Sequence, residues 1–293
     1  MAEPPAAPTY HLFGVPLRTG SLYPGSENDA QAYRDARIVQ RLHAAGCRVI
    51  DEGDVAIPSY LPHHNVPPIK NWPGPRIAWE CIGERIAPFL QQPGHVPLLI
   101  GTDCSVVVGT TQALMRAHGE DVHVVYVDGD IDGIAPQPDR CMSAAGMGLW
   151  LMTQASPFRA GPALDASRVT VLGWSDDLRS PPIGLGSIPL AEVRRLGARE
   201  AALQTLRALP ASAAVLLHVD IDVCNKQAMP AAYFPHGDGL TLAEARELLD
   251  PLLQDARVRV IEVAEYASLR DLDHAHVESI VELLAGGLAG RLT

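Results

Sequence analysis

The chain has 293 residues, 47% hydrophobic and 19% charged, with a formal net charge of −11. That composition supports a large buried core, and a mean hydropathy near zero excludes global disorder. The acidic balance argues against nucleic acid or an anionic membrane as main partner and favours cations, either metal ions or a basic small molecule.

Residues 1–9 are rich in Pro and Ala and read as a flexible tail, without the basic and apolar regions of a signal peptide. Residues 10–293 read as one domain in which apolar runs alternate with helix-like stretches. In chain order, His11–Val15 reads as a strand, Asp29–Ala45 as a helix and Cys47–Asp51 as a strand. The Pro-rich segment Ile57–Pro75 reads as a long loop, a lid or an interface element. There follow a helix at Ile77–Gln92, a strand at Val96–Ile100, a helix at Thr110–Ala117 and a strand at Val122–Asp128. The last third reads as helix Ser143–Gln154, strand Val169–Gly173, helix Leu190–Ala208, strand Ala214–Asp222, helix Leu242–Asp255, strand Val258–Val263 and helix His274–Ala285. The strands are rich in Val, Ile and Leu and nearly free of charge until their ends, as expected of a parallel sheet buried on both faces. Alternation along the whole length predicts an α/β fold, a mostly parallel doubly wound sheet between two helical layers. No run approaches the roughly 18 apolar residues of a membrane span, so the cytoplasm is the expected location. Cys47, Cys81, Cys104, Cys141 and Cys224 are scattered without a CxxC pair, which argues against a disulfide framework or a zinc ribbon.

Ligands of an open parallel sheet bind at the carboxyl ends of its strands. Three of those ends carry unusual chemistry: Gly101-Thr102-Asp103-Cys104-Ser105, Asp128-Gly129-Asp130-Ile131-Asp132 and His218-Val219-Asp220-Ile221-Asp222. The two-residue period of a strand puts Asp128, Asp130 and Asp132 on one side, and likewise His218, Asp220 and Asp222. Two such ends side by side bring five carboxylates into one small volume. Such a cluster either protonates or takes up cations, and oxygen-rich donors favour Mn²⁺ or Mg²⁺. A single DxD, by contrast, more often caps a helix or lines a solvated loop.

Together these motifs resemble those of the arginase/agmatinase ureohydrolase family, which carries GGDHS, DAHxD and SxDxDxxDP at three strand ends. PLLIGTDCSVVVGT, LLHVDIDVCNKQAMPAAYFPHGDGLTLAEA, GCRVIDEGD and IEVAEYASLRD match family segments in order and spacing over about 250 residues. The resemblance implies an arginase-like three-layer fold, homo-oligomers (trimers or hexamers), and a dinuclear manganese site that generates a hydroxide to attack a guanidino carbon. It implies Asp128, Asp132, Asp220 and Asp222 as metal ligands. Cys104 and Asp130 stand where the family's two metal histidines belong. Five carboxylates and a thiolate would exceed the charge of two divalent ions by two. Either Cys104 stays a thiol, Asp130 keeps a proton or leaves the shell, or one ion binds. A thiolate also shifts preference from Mn toward Fe, Zn or Ni.

Glu265 matches the family's late glutamate, which pairs with the substrate guanidinium; Glu262 is the rival position, near the same face. Relatives that act on free arginine supply an Asn and a His where this chain has Ile134 and Ala145. A guanidino or amidino compound other than free L-arginine is therefore the expected substrate, with cleavage of a C–N bond in a linear amidine. Arg140 and Arg179 are candidates for an anionic group of the substrate, against an ordinary surface role. His218 is a candidate partner behind the metal ligands or replacement proton shuttle, against a satisfied core histidine, and His236 is a weaker candidate of the same kind. Cys104 as a nucleophile finds no His/Asn pattern to support it. The rival readings are a formimino- or amide-type hydrolase on the same scaffold, and an inactive family member kept for binding or assembly.

Overall fold

The computed structural model describes residues 7–22, 27–58, 65–175 and 184–291. Among these, eight strands form one parallel sheet: β1 (Thr9–Gly14), β2 (Arg48–Asp54), β3 (His95–Thr102), β4 (Val122–Val127), β5 (Val169–Leu172), β6 (Gly186–Ile188), β7 (Ala214–Asp220) and β8 (Val258–Ala264). Their order is β2-β1-β3-β8-β7-β4-β5-β6. The seven expected apolar runs are all strands. Thr9, placed in the tail by its Pro/Ala-rich surroundings, is the first residue of β1 and pairs with Arg48 and His95.

The helices are α1 (Asp29–Asp35), α2 (Ile38–Ala44), α3 (Gly74–Leu90), α4 (Val106–His118), α5 (Gly148–Thr153), α6 (Leu190–Leu196), α7 (Ala198–Ala208), α8 (Leu242–Gln254) and α9 (Ala275–Leu288). Two expected helices are each two. Arg37 adopts a left-handed φ of 59° between α1 and α2, and Gly197, at 89°, separates α6 from α7. Of the expected helix Ser143–Gln154, Ala145–Met147 forms a 3-10 turn and only α5 is α-helical. The loop expected to run to Pro75 ends earlier, because Gly74 and Pro75 open α3, where a proline's missing N–H is harmless. The start of α8 is fixed by reciprocal bonds between Thr241 and Glu244.

Alternation along the strands divides the core. Leu12, Val125, Val127, Leu217 and Ile261 face the layer containing α1, α2 and α6–α9. Phe13, Leu99, Val124, Tyr126, Leu216 and Val260 face α3, α4 and α5. Helices thus cover both faces of the sheet, giving three layers, α/β/α.

Candidate metal centre

The four adjacent strands β3, β8, β7 and β4 end side by side, and each delivers polar side chains to the same place. The end of β3 bulges at Gly101, whose φ is +73° and where a Cβ would lie 2.6 Å from the Ala30 backbone nitrogen. The bulge turns Asp103, Cys104 and Ser105 inward. Asp103, buried, accepts from the Gly20 and Ser105 N–H groups at 3.0 Å, tying down this loop. The Cys104 thiol donates to Asp220 Oδ2 at 2.8 Å.

Beyond β4, Asp128 accepts from the Asp130 N–H at 2.6 Å, and Asp132 accepts from the Tyr126 hydroxyl at 2.6 Å. The strand β7 stops at Asp220, two residues before the expected end, and a 3-10 turn over Ile221–Val223 replaces the last extended residues. Asp222 still faces the cluster, because its N–H donates to Asp220 Oδ1 at 2.7 Å and its Oδ1 accepts from the Gly129 N–H at 3.1 Å. Gly129 permits that approach: a Cβ there would meet the Asp222 carbonyl at 2.6 Å.

Three groups of donor atoms each lie within 4.8 Å of one another: Asp128, Asp220 and Asp222; Asp130, Asp222 and His236; and Cys104, Asp128 and His218. Asp128, Asp132, Asp220 and Asp222 are buried, whereas Asp130 is half-buried. Burial and then the neighbouring Asp222 carboxylate push Asp128 and Asp220 well above the usual carboxylate range. Burial likewise holds Asp132 up at about 7, against the Tyr126 hydroxyl bond that lowers it. The Asp128 Oδ2 atom is buried with no hydrogen-bond partner. A buried, unpartnered carboxylate oxygen among other carboxylates is costly unless a cation takes it, so the donor set fits divalent metal ions.

A cavity of about 190 Å³ opens over the cluster, floored by Cys104, Asp128, Asp130, Asp132, Asp220, Asp222 and Glu265. Leu22, Ile134, Met142, Ala145 and Phe234 give it apolar walls, and Ser143 and Gly146 complete the lining. Residues 65–73 of the Pro-rich loop support one wall, where Lys70 N–H donates to the Met142 carbonyl and Met142 N–H to that of Pro68; residues 59–64 of that loop lie outside the described residues.

Glu265 has a φ of 60°, which breaks the strand alternation and turns its side chain into the cavity. Its Oε1 accepts from the Cys104 N–H at 3.2 Å. Burial, then repulsion from Asp103, raises its pKa well above the ordinary value. Glu262, the rival, does not line the cavity; it is buried and accepts from Thr110. It also bonds His218 Nδ1 at 2.8 Å. Arg140 is exposed and outside the lining, and Arg179 lies outside the described residues.

His218 is fully buried, with Nε2 at 3.4 Å from Cys104 Sγ, and Cys104 stands between it and the cavity. Sequence reasoning found no partner for Cys104; the sheet register supplies one, because Tyr126, His218 and Glu262 occupy one row across β4, β7 and β8. The Tyr126 ring stacks on His218 at 4.2 Å between centroids. Tyr126 was not among the expected site residues, although it shares the strand phase of Asp128. His236 Nε2 lies 3.2 Å from Asp222 Oδ2 and 3.8 Å from Asp130 Oδ2.

Fold and site together define a three-layer α/β/α protein with an acidic, cation-fitting cluster at the carboxyl ends of its central strands. The arginase family model matches residues 8–288, and the chain belongs to the arginase family. It is 22% identical over 295 residues to an arginase of Bacillus subtilis, covering 97% of this chain and 99% of that one. Among solved structures it is similar to arginase from Bacillus caldovelox, with a TM-score of 0.83, 21% identity, and coverage of 98% of this chain and 100% of that one. It is also similar to a Trypanosoma cruzi formiminoglutamase solved with Mn²⁺, with a TM-score of 0.76, 18% identity, and coverage of 97% and 93%.

Proposed function

We propose that the chain is a metal-dependent amidinohydrolase that cleaves a C–N bond of a guanidino or amidino compound other than free L-arginine. The observation that carries this reading is the buried Asp128 Oδ2, unpartnered and grouped with the carboxylates of Asp220 and Asp222. Cys104, Asp128, Asp130, Asp132, Asp220 and Asp222 would hold two divalent ions, manganese by family resemblance, with iron, nickel or zinc favoured to the extent that Cys104 binds. Such ions supply Lewis acidity that makes a water nucleophilic near neutral pH.

The chain's own residues do the rest. Glu265, at the cavity floor, presents a carboxylate to a planar guanidinium, and the cation would restore the charge that burial disfavours. The apolar walls exclude bulk water from the reacting carbon. Asp130, with His236 3.8 Å away at the half-buried rim, can carry a proton to the departing amine. Ile134 and Ala145, which stand where relatives acting on free arginine supply an Asn and a His, line the cavity, which supports a substrate other than free L-arginine. The same reading includes a cytoplasmic homo-oligomer, a trimer or hexamer, which sedimentation equilibrium tests.

The deciding experiment joins elemental analysis of the purified chain to a panel of guanidino and amidino compounds. Stoichiometric metal with urea release is the expected result. Release of formamide or ammonia instead assigns formimino- or amide-type chemistry. A chain that holds no ion even in excess manganese is an inactive member, and the hydrolase reading falls.

A further inference from the structure

Under the acidic floor lies a row of buried polar groups that the hydrolytic reading leaves without a task. Thr110 donates to Glu262, Glu262 Oε2 bonds His218 Nδ1 at 2.8 Å, and His218 Nε2 lies 3.4 Å from Cys104 Sγ. His218 and Glu262 are both 0% exposed. With Nδ1–H donating to the Glu262 carboxylate, the neutral tautomer carries a lone pair on Nε2, aimed at Cys104. A carboxylate behind a histidine is the arrangement that orients an imidazole toward a metal.

The spacing agrees. Zinc–sulfur and zinc–nitrogen bonds of about 2.3 and 2.0–2.1 Å at a tetrahedral angle put the two donors about 3.6 Å apart. A carboxylate oxygen of Asp128 lies within 4.8 Å of both donor atoms, and Asp128 Oδ2 has no other partner. We propose that Cys104, His218 and Asp128 form one site of mixed sulfur, nitrogen and oxygen donors, which selects a borderline ion such as zinc or iron(II) over manganese. This rests on the metal-centre reading above and adds to it the imidazole and the choice of ion. When the ion binds, the thiol proton leaves to solvent and the thiolate becomes a ligand.

The same three side chains could instead be read as nucleophile, base and orienting acid. The surroundings of the sulfur decide against it. Cys104 Sγ sits 2.8 Å from Asp220 Oδ2 and beside Asp128, so a bare thiolate would meet anions, whereas a divalent cation shared among them offsets two of the three charges.

The test titrates cobalt(II), zinc and manganese separately into the chelator-treated full-length chain. Cobalt is expected to raise a thiolate-to-metal charge-transfer band in the near ultraviolet that saturates at one ion per chain, and Cys104→Ser erases it. X-ray absorption of the zinc form is expected to contain one sulfur and one imidazole in the first shell. His218→Ala keeps the sulfur, loses the imidazole and weakens zinc by about 100-fold, while Glu262→Gln weakens it about 10-fold. The wild-type spectra decide the matter even if His218→Ala fails to fold. An oxygen-only shell around zinc and cobalt overturns this site and leaves the hydrolase reading standing on the carboxylates. If none of the three ions binds, both fall.

Discussion

Asp132 offers the sharpest prediction about stability. In the metal-free protein its carboxyl, ordinarily near 3.8, sits at about 7, with burial as the largest cause. A carboxyl raised in this way binds its proton more tightly in the folded than in the unfolded chain. Stability attributable to it is therefore complete below the unfolded value and lost as pH rises through about 7. A rise from 3.8 to about 7 corresponds to about 4 kcal/mol at most; Asp128 and Asp220 shift in the same direction. Asp132→Asn keeps an acceptor for the Tyr126 hydroxyl but removes the charge. Metal-free, the variant is expected to match wild type near pH 4 and to exceed it by up to about 4 kcal/mol at pH 8. Adding manganese or zinc at about 100 times its Kd returns about 2.7 kcal/mol to wild type and less to the variant, which lacks a ligand, so their stability difference narrows or reverses. Urea denaturation at a series of pH values, with chelator and with metal, measures both effects. A difference between the two proteins that is independent of pH in chelator would refute the reasoning.

Three further substitutions probe other links. Glu265→Gln keeps the shape but not the charge, so kcat/KM for a guanidino substrate should fall about 10- to 100-fold, the worth of a charge-assisted hydrogen bond, with metal content unchanged. Gly129→Ala puts a Cβ 2.6 Å from the Asp222 carbonyl and 2.7 Å from His236. It should cost about 1–3 kcal/mol and weaken manganese binding, which calorimetry reads. Asp271 is buried, which pushes its pKa up, yet N–H donors from Val277 and His276 and the Tyr266 hydroxyl hold it below the usual range. Its contribution is thus present above the ordinary carboxylate value and lost as pH falls through the lowered one. Asp271→Asn should lower stability by about 1–2 kcal/mol at pH 7 and by less near pH 3, measured by thermal unfolding.

The strands were legible because a strand buried on both faces is mostly apolar, and β3, β4, β7 and β8 are dominated by Val, Leu and Ile. The strand β6 was not, since three residues, Gly-Ser-Ile, carry no period. The breaks at Arg37 and Gly197 were hidden because one left-handed residue leaves the spacing of apolar side chains nearly intact. At the site, the strand-end motifs pointed to Asp128, Asp132, Asp220 and Asp222, and all four line the cavity, although β4 ends at Val127 and β7 at Asp220, so the local turns rather than period two set where Asp132 and Asp222 point. Period two could not reveal Tyr126 beside His218 or Glu262 behind it, because cross-strand neighbours depend on register, and register is set by the whole sheet. Alternation alone puts Glu262 and Glu265 on opposite sides of a strand; the positive φ at Glu265 breaks that alternation, and Glu265 rather than Glu262 lines the cavity.

The two departures from the family pattern, Cys104 and Asp130, bear on whether the centre works. Each has an imidazole from elsewhere in the chain against it: His218 Nε2 is 3.4 Å from Cys104 Sγ, and His236 Nε2 is 3.8 Å from Asp130 Oδ2. The apparent loss of nitrogen donors is thus a loss at two positions rather than from the site. An inactive member used only for assembly would have no use for four buried aspartates that repel one another and an oxygen with no partner, since uncompensated charge in a dry interior destabilises the fold. A bound cation would turn that liability into stability, and the same convergence sets Glu265 in the floor, where a planar cationic substrate would lie.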